Sequence, residues 1–207
     1  MNLLDKPTIE FCEKAGIGLI KRPFYAISNL AYLIVGFFIL NKKTRFSKIF
    51  GYSAIFIGLA SFLYDASYTY VSQLLDLFSM LVFINILIYL SAIRLGKNFK
   101  IFCIFAPIFG LVSIIYFKSY AGEFVFGIFV LIAIVLETII WLTGRAKEFK
   151  MWLLGVGLFI LGFVVWLFDA VFKICDSDNI INGRSIFHIL TATTIFLLYK
   201  YFEKQEI

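Results

Sequence analysis

Long apolar blocks alternate with short polar interruptions along the whole chain. The blocks fall at about 24–41, 49–68, 73–93, 99–117, 121–143, 151–172 and 184–202. Each is roughly 17–25 residues long, which is what a helix needs to cross a hydrocarbon core of about 30 Å. In lipid a spanning backbone can satisfy its own N–H and C=O groups only as a helix or a closed barrel. These blocks are too long and too uniformly apolar for the alternating strands of a barrel. The pattern predicts an all-α, polytopic membrane protein: a seven-transmembrane helix bundle. The connections are short, so residues 1–207 read as a single domain, opening with a short polar N-terminal segment over 1–23. That segment carries acidic groups and has no basic stretch leading into an apolar core, so it does not read as a signal peptide. Pro107 is expected to bend the fourth span.

Composition agrees with this reading. The chain is 62% hydrophobic and 15% charged, against about 25% charged for a soluble domain. Its net charge of +6 follows the loops and does not indicate nucleic-acid binding. Lys42, Lys43, Arg45, Lys48, Arg94, Lys97, Lys100, Arg145, Lys147, Lys150, Lys200 and Lys204 all fall at one face of the predicted bundle. The rule that basic loops stay inside then places the N-terminus outside and the C-terminus in the cytoplasm, in the plasma membrane if the cell is bacterial. Cys12 and Cys175 both fall near the outer face and would be able to pair in an oxidising compartment. Cys103 reads as a packed apolar residue.

Ionisable residues inside a bilayer are expensive, so the few present here mark a candidate site. The span directions bring Ser61, Asp65, Asp76, Asp169, Arg184 and His188 to one layer near the outer surface. His188 is the only histidine. Ser61 and Asp65, and likewise Arg184 and His188, are four residues apart and share a helix face. The turn between the second and third spans is short enough for Asp65 and Asp76 to face each other. Each residue also has a structural reading. Ser61 can back-bond within its helix, Asp169 can reach the interface, Arg184 can snorkel to headgroups and His188 can be a buried hydrogen-bonding group. Six such residues in one layer favour a real polar pocket. Asn85 and Glu137 lie apart from that layer and read as locally hydrogen-bonded.

Three patches carry a family resemblance. Phe11-Cys12-Glu13, Pro23 and Ser28-Asn29-Leu30 resemble the opening of the alkaline ceramidases. Ser61-Phe62-Leu63-Tyr64-Asp65, followed by Asp76-Leu77-Phe78-Ser79-Met80, resembles their Ser-x-x-x-His and Asp-x-x-Ser-Met motifs. Gly183-Arg184-Ser185-Ile186-Phe187-His188-Ile189-Leu190, preceded by Asp169, resembles their Gly-His-x-x-Trp-His-Ile-Leu ending. The patches run through nearly the whole chain in order. The wider relatives are intramembrane hydrolases of the adiponectin-receptor and GPI-remodelling types. The resemblance implies a membrane hydrolase that cleaves the amide bond of a ceramide or related lipid amide, with membrane lipids as its surroundings.

The same resemblance implies site roles. Ser61 and Asp76 would be catalytic, supported by Ser79 and Asp169, beside a zinc ion held by three histidines. Carried over position by position, the ligands would be Asp65, Arg184 and His188, and only His188 is a histidine. A carboxylate can bind zinc, but a guanidinium offers no lone pair. Zinc is therefore left open, with Asp65 and His188 as its remaining ligands. A calcium site near the N-terminus would draw on Glu10 and Glu13. Arg22 and Tyr25 stand where the family has Glu and Asn, so calcium is not expected. Two functions follow: a ceramidase-like hydrolase impaired at its metal, or a non-catalytic lipid-binding or interaction protein in which an Asp65–Arg184 salt bridge replaces zinc. A transporter or retinal-type receptor is disfavoured, because the seventh span has no midmembrane lysine and broken helices are not apparent.

Overall fold

The computed structural model describes residues 3–97, 100–117, 121–174 and 182–205. It forms helices α1 (Pro23–Ser28), α2 (Leu30–Leu40), α3 (Ser47–Ser67), α4 (Tyr70–Arg94), α5 (Lys100–Phe117), α6 (Ala121–Leu142), α7 (Phe149–Ala170) and α8 (Gly183–Glu203), with no strand among the described residues. All seven expected blocks are helical. The first is divided at Asn29, whose side-chain amide donates to the carbonyl of Tyr25 at 3.0 Å. Six segments are long and apolar enough to cross a membrane, α1 and α2 counting together as one. In the fourth block the described residues include a shorter apolar helical stretch, Ile101–Ser113. Helix α5 continues through Pro107.

The outer surface is apolar, as a lipid-solvated bundle requires. Phe105, Phe109, Phe124, Leu131, Leu142 and Leu154 all project outward. Close helix pairs are set by small residues, as in other membrane bundles. A Cβ on Gly36 of α2 would come within 2.9 Å of the Gly51 carbonyl of α3. At the start of α8, a Cβ on Gly183 would come within 2.6 Å of the Val165 carbonyl of α7. Helix α7 packs along α8, whereas α6 packs on α4 and α5. Where α6 and α7 face each other they touch through side chains, Trp141 on Phe149 and Phe126 on Phe159. The space left between these two helices matters for the site.

Residues 3–22 form a strap across one end of the bundle. At a helix terminus the last carbonyls and first N–H groups lack partners within the helix, and the strap supplies them. Lys21 and Arg22 donate their backbone N–H groups to the carbonyls of Ala66 and Asp65 at the end of α3, at 2.9 and 3.1 Å. Tyr70 and Val71, opening α4, donate to the carbonyls of Asp5 and Leu3 at 2.8 and 3.0 Å. Thr8 is further tied to Gln73 by paired 2.9 Å bonds. Cys12 is disulfide-bonded and Cys103 is free. Cys175, which the sequence makes able to pair with Cys12 in an oxidising compartment, lies outside the described residues.

The opposite end is locked by a second buried ion pair. Arg94 Nη1 lies 2.9 Å from both Glu137 oxygens. Ser91 and Tyr201 donate to the same carboxylate at 2.6 and 2.5 Å. Arg94 Nη2 reaches Gln205 Oε1 at 2.9 Å, and Gln205 Nε2 reaches the Lys147 carbonyl at 2.7 Å. The network joins α4, α6, α8 and the α6–α7 turn, so Glu137 is more than a local hydrogen-bonding residue. Removing one partner of a buried pair costs roughly 3–5 kcal/mol, whereas replacing both with apolar residues can be neutral. Glu137→Ala is therefore expected to lower the thermal midpoint in detergent strongly, and Arg94→Met/Glu137→Leu to recover much of the loss. A double variant no more stable than the single would contradict this account.

Candidate functional site

The site is built where α1, α3, α4 and α8 meet beneath the strap. Its centre is Asp65, in the last turn of α3 and fully buried. Arg22 Nη2 lies 2.8 Å from Asp65 Oδ1, and Arg184 Nε lies 3.2 Å from the same oxygen. These are ion pairs rather than well-aligned hydrogen bonds. Asn29 Nδ2 donates to Asp65 Oδ2 at 3.0 Å, and Arg184 Nη2 reaches that oxygen at 3.5 Å. Arg184 Nη2 also lies 3.7 Å from Asp76 Oδ2. Ser61 lies beside the Asp76 carboxyl. Arg184 does not reach toward headgroups; it is buried against Asp65 and Asp76.

Aromatic rings cover the guanidinium faces that the carboxylates leave open. Arg22 Cζ lies 4.6 Å from the ring centroid of Tyr68 and 4.8 Å from that of Tyr64, while Arg184 Cζ lies 4.2 Å from that of Phe11. Such contacts offset part of the lost hydration when a cation is buried. Tyr68 adopts left-handed geometry, φ 52° and ψ 48°, at the end of α3. That conformation is uncommon for a bulky residue, and here it turns the chain into α4 beneath Arg22.

Asp169 serves the surrounding frame. Both of its oxygens accept from Tyr25 Oη at 2.9 Å, and they also accept the backbone N–H groups of Cys12 at 2.9 Å and Arg184 at 2.8 Å. The last bond satisfies an open N–H in the first turn of α8, where a negative charge also complements the helix dipole. The interfacial position considered for Asp169 is therefore corrected: the residue is fully buried. Asn182 completes the start of α8 by accepting the Ser185 N–H at 3.0 Å. Glu13 plays the matching role for α1, accepting the N–H groups of Phe24 and Tyr25 at 2.9 Å each. Burial raises the Glu13 carboxyl above the ordinary carboxylate range, and those two bonds partly offset the rise. Glu10 is exposed, with its backbone carbonyl facing Lys173 Nζ. Ser79 donates to the carbonyl of Asp76 in its own helix at 2.6 Å.

The imidazole of His188 has a defined orientation. Ser28 Oγ lies 2.7 Å from His188 Nδ1 and donates its single proton to the Tyr25 carbonyl at 2.7 Å. Ser28 must then accept from Nδ1–H, which makes Nδ1 the protonated nitrogen. His188 Nε2 has no hydrogen-bond partner among the described residues. It borders a chamber also lined by Ser61, Asp76, Gln73, Glu123 and Arg184. Ser61, Asp76, Arg184 and His188 thus share one chamber. Asp65 lies behind it, holding Arg184, and Asp169 and Ser79 lie outside its lining. A second, almost wholly apolar chamber adjoins it through Tyr32, Met80, Phe126, Phe159 and Phe187. The polar chamber also meets a lipid-facing cleft between α6 and α7, where Glu123, Phe163 and Trp166 line both.

Arg22, Tyr25, Gln73 and Glu123 were not among the expected site residues. Glu123 did carry a readable signal, being one of two acidic residues in an apolar block of about 23 residues (121–143). Arg22 carried none in its spacing, because it sits in a segment already polar, and stood out only against the family pattern.

These donors do not fit a zinc ion. Asp65, the one carboxylate at an expected ligand position, already faces two guanidiniums and an amide. Arg184 has no lone pair to give. Among the described residues no group of three or more His, Cys, Asp or Glu side chains is placed to hold a metal. Calcium fares no better, because both Glu13 oxygens cap α1 and Arg22 is a cation.

Fold and site together define a class: a helical, multi-pass membrane protein with a buried polar chamber bordering the lipid layer. The family model described as Ceramidase matches residues 6–206, nearly the whole chain, and the protein belongs to the ceramidase family. No curated protein matches it.

After dialysis in detergent against metal-free buffer, the purified protein is expected to retain far less than one zinc per chain by elemental analysis. Stoichiometric zinc would refute the ionic reading of Asp65. Asp65→Ala, which strands two buried guanidiniums, is expected to reduce the thermal midpoint far more than Ser61→Ala.

Proposed function

We propose that this member of the ceramidase family is a membrane-embedded lipid-binding protein whose polar centre runs on an arginine–carboxylate network. The observation that carries the reading is the placement of Arg22 and Arg184 on one oxygen of Asp65, at 2.8 and 3.2 Å. At the level of the family the chain is a ceramidase-like hydrolase, so its ligand is a lipid amide or a closely related amphiphile. The head would sit among Ser61, Asp76, Arg184 and His188, and the hydrocarbon chain in the adjoining apolar chamber. Ligand would enter sideways from the bilayer between α6 and α7. The basic loops favour an N-terminus outside and a C-terminus in the cytoplasm, in the plasma membrane if the cell is bacterial.

A second reading is retained because Ser61, Asp76 and the unpartnered Nε2 of His188 share the chamber. In a hydrolase built this way, Ser61 and Asp76 would contact the reacting amide. His188 Nε2 would accept a proton, its orientation fixed by Ser28. Fatty-acid release from ceramide by the purified protein, with and without chelator, separates the two readings. The expected result is no release in either condition. Release abolished in His188→Ala would establish the hydrolase and overturn the proposal, and its sensitivity to chelator would show whether a metal takes part.

A further inference from the structure

Among the described acidic residues inside the bundle, Glu123 is distinctive for having no partner on another described residue. Asp65 is held between Arg22 and Arg184. Asp76 lies 3.7 Å from Arg184, so these two carboxylates and two guanidiniums balance. Glu137 is neutralised by Arg94, and Asp169 accepts three donors. Glu123 makes no ion pair among the described residues, and its Oε2 is buried without a hydrogen-bond partner. Its place in the first turn of α6, where its carboxyl meets its own backbone N–H, suits the helix dipole. That accounts for one side of the carboxyl and leaves Oε2 turned away from any donor.

Three features of the chamber point the same way. Asp76, nine-tenths buried, has an oxygen with no hydrogen-bond partner. His188 Nε2 is likewise an open acceptor. Arg184, the one cation in the lining, is engaged by Asp65 and Asp76. The chamber therefore offers acceptors that lack donors. A carboxyl buried at membrane depth is held in its charged form only by a cation, and a cationic head would supply both donors and charge. A phosphate head would meet two carboxylates with no free guanidinium to receive it.

We infer that the chamber selects an amphiphile with a protonated amine head, and that Glu123, at the lipid-facing mouth it shares with Phe163 and Trp166, is the residue that reads the amine. The amine reaches Glu123 and Asp76 together, and its chain enters the apolar chamber past Phe126 and Phe159. This rests on the lipid-binding reading above and chooses, among the amphiphiles related to a lipid amide, the free long-chain amine.

The test uses the full chain in phosphatidylcholine nanodiscs, with empty nanodiscs subtracted. The probes are octadecylamine, its neutral N-acetyl analogue and octadecyl phosphate. Saturable binding of the amine is expected, at least about tenfold tighter than either analogue, the factor that one charge-assisted hydrogen bond supplies. Glu123→Gln is expected to bring the amine down to the level of the N-acetyl compound, with the thermal midpoint unchanged. Equal binding of the three probes by the wild-type protein, tighter binding of the phosphate, or an amine preference that survives in a folded Glu123→Gln would each overturn the inference. Should Glu123→Gln fail to fold, the wild-type comparison of amine with N-acetyl analogue decides alone. A ceramide-hydrolysis result that sinks the lipid-binding reading leaves this amine preference separately measurable.

Discussion

A carboxylate shared by two guanidiniums, buried at the end of a membrane helix, is the interaction on which the site depends. A carboxylate buried there needs countercharge, and Arg22 and Arg184 supply it from two directions, 2.8 and 3.2 Å from one oxygen. Arg22 arrives on the N-terminal strap and Arg184 on the first turn of α8. The ionic contact therefore fixes the strap, α3 and α8 relative to one another. The frame around it works in the same way. Glu13 and Asp169 each place a carboxylate at a helix N-terminus, and Tyr25 Oη links the two residues by accepting from the Glu13 backbone N–H and donating to the Asp169 carboxylate. Few of the polar groups here act through one contact alone.

The lipid-facing side follows a different logic. Arg94 and Glu137 pin the far end of α6 to α4 and α8, while α6 and α7 each pack mainly on other helices. Two helices that each pack elsewhere leave a cleft between them. The polar chamber lies where that cleft meets the ionic centre, so the features that hold the bundle together also define where a lipid reaches it.

Much of this was legible in the sequence. Block length and uniform apolarity identify seven helices, because a lipid-solvated backbone has so few alternatives. Spacing and span direction bring Asp65, Asp76, Arg184 and His188 to one level. The helix-by-helix match to ceramidase motifs agrees with the family model covering residues 6–206. The signals that failed were those that depend on orientation. Nothing in the spacing says that Asp169 faces the N-terminus of α8 and not the chamber, or that Ser79 bonds back to its own helix. Arg22 was visible only as a departure from a family pattern. In a segment already rich in charge, no periodicity marks the residue that folds inward over the bundle.

The two departures, at residues 22 and 184, belong together physically. Either arginine alone beside Asp65 and Asp76 would leave the inner layer with two carboxylates and one cation. With both present the charges balance, and aromatic faces from Phe11, Tyr64 and Tyr68 cover the guanidiniums. Placing a histidine at 184 would not by itself rebuild a metal site, since Arg22 would still occupy Asp65 and the new imidazole would meet an oxygen already paired. The ionic centre is therefore a self-consistent arrangement, and its balance leaves Glu123, at the chamber mouth, as a carboxylate with no counterion among the described residues.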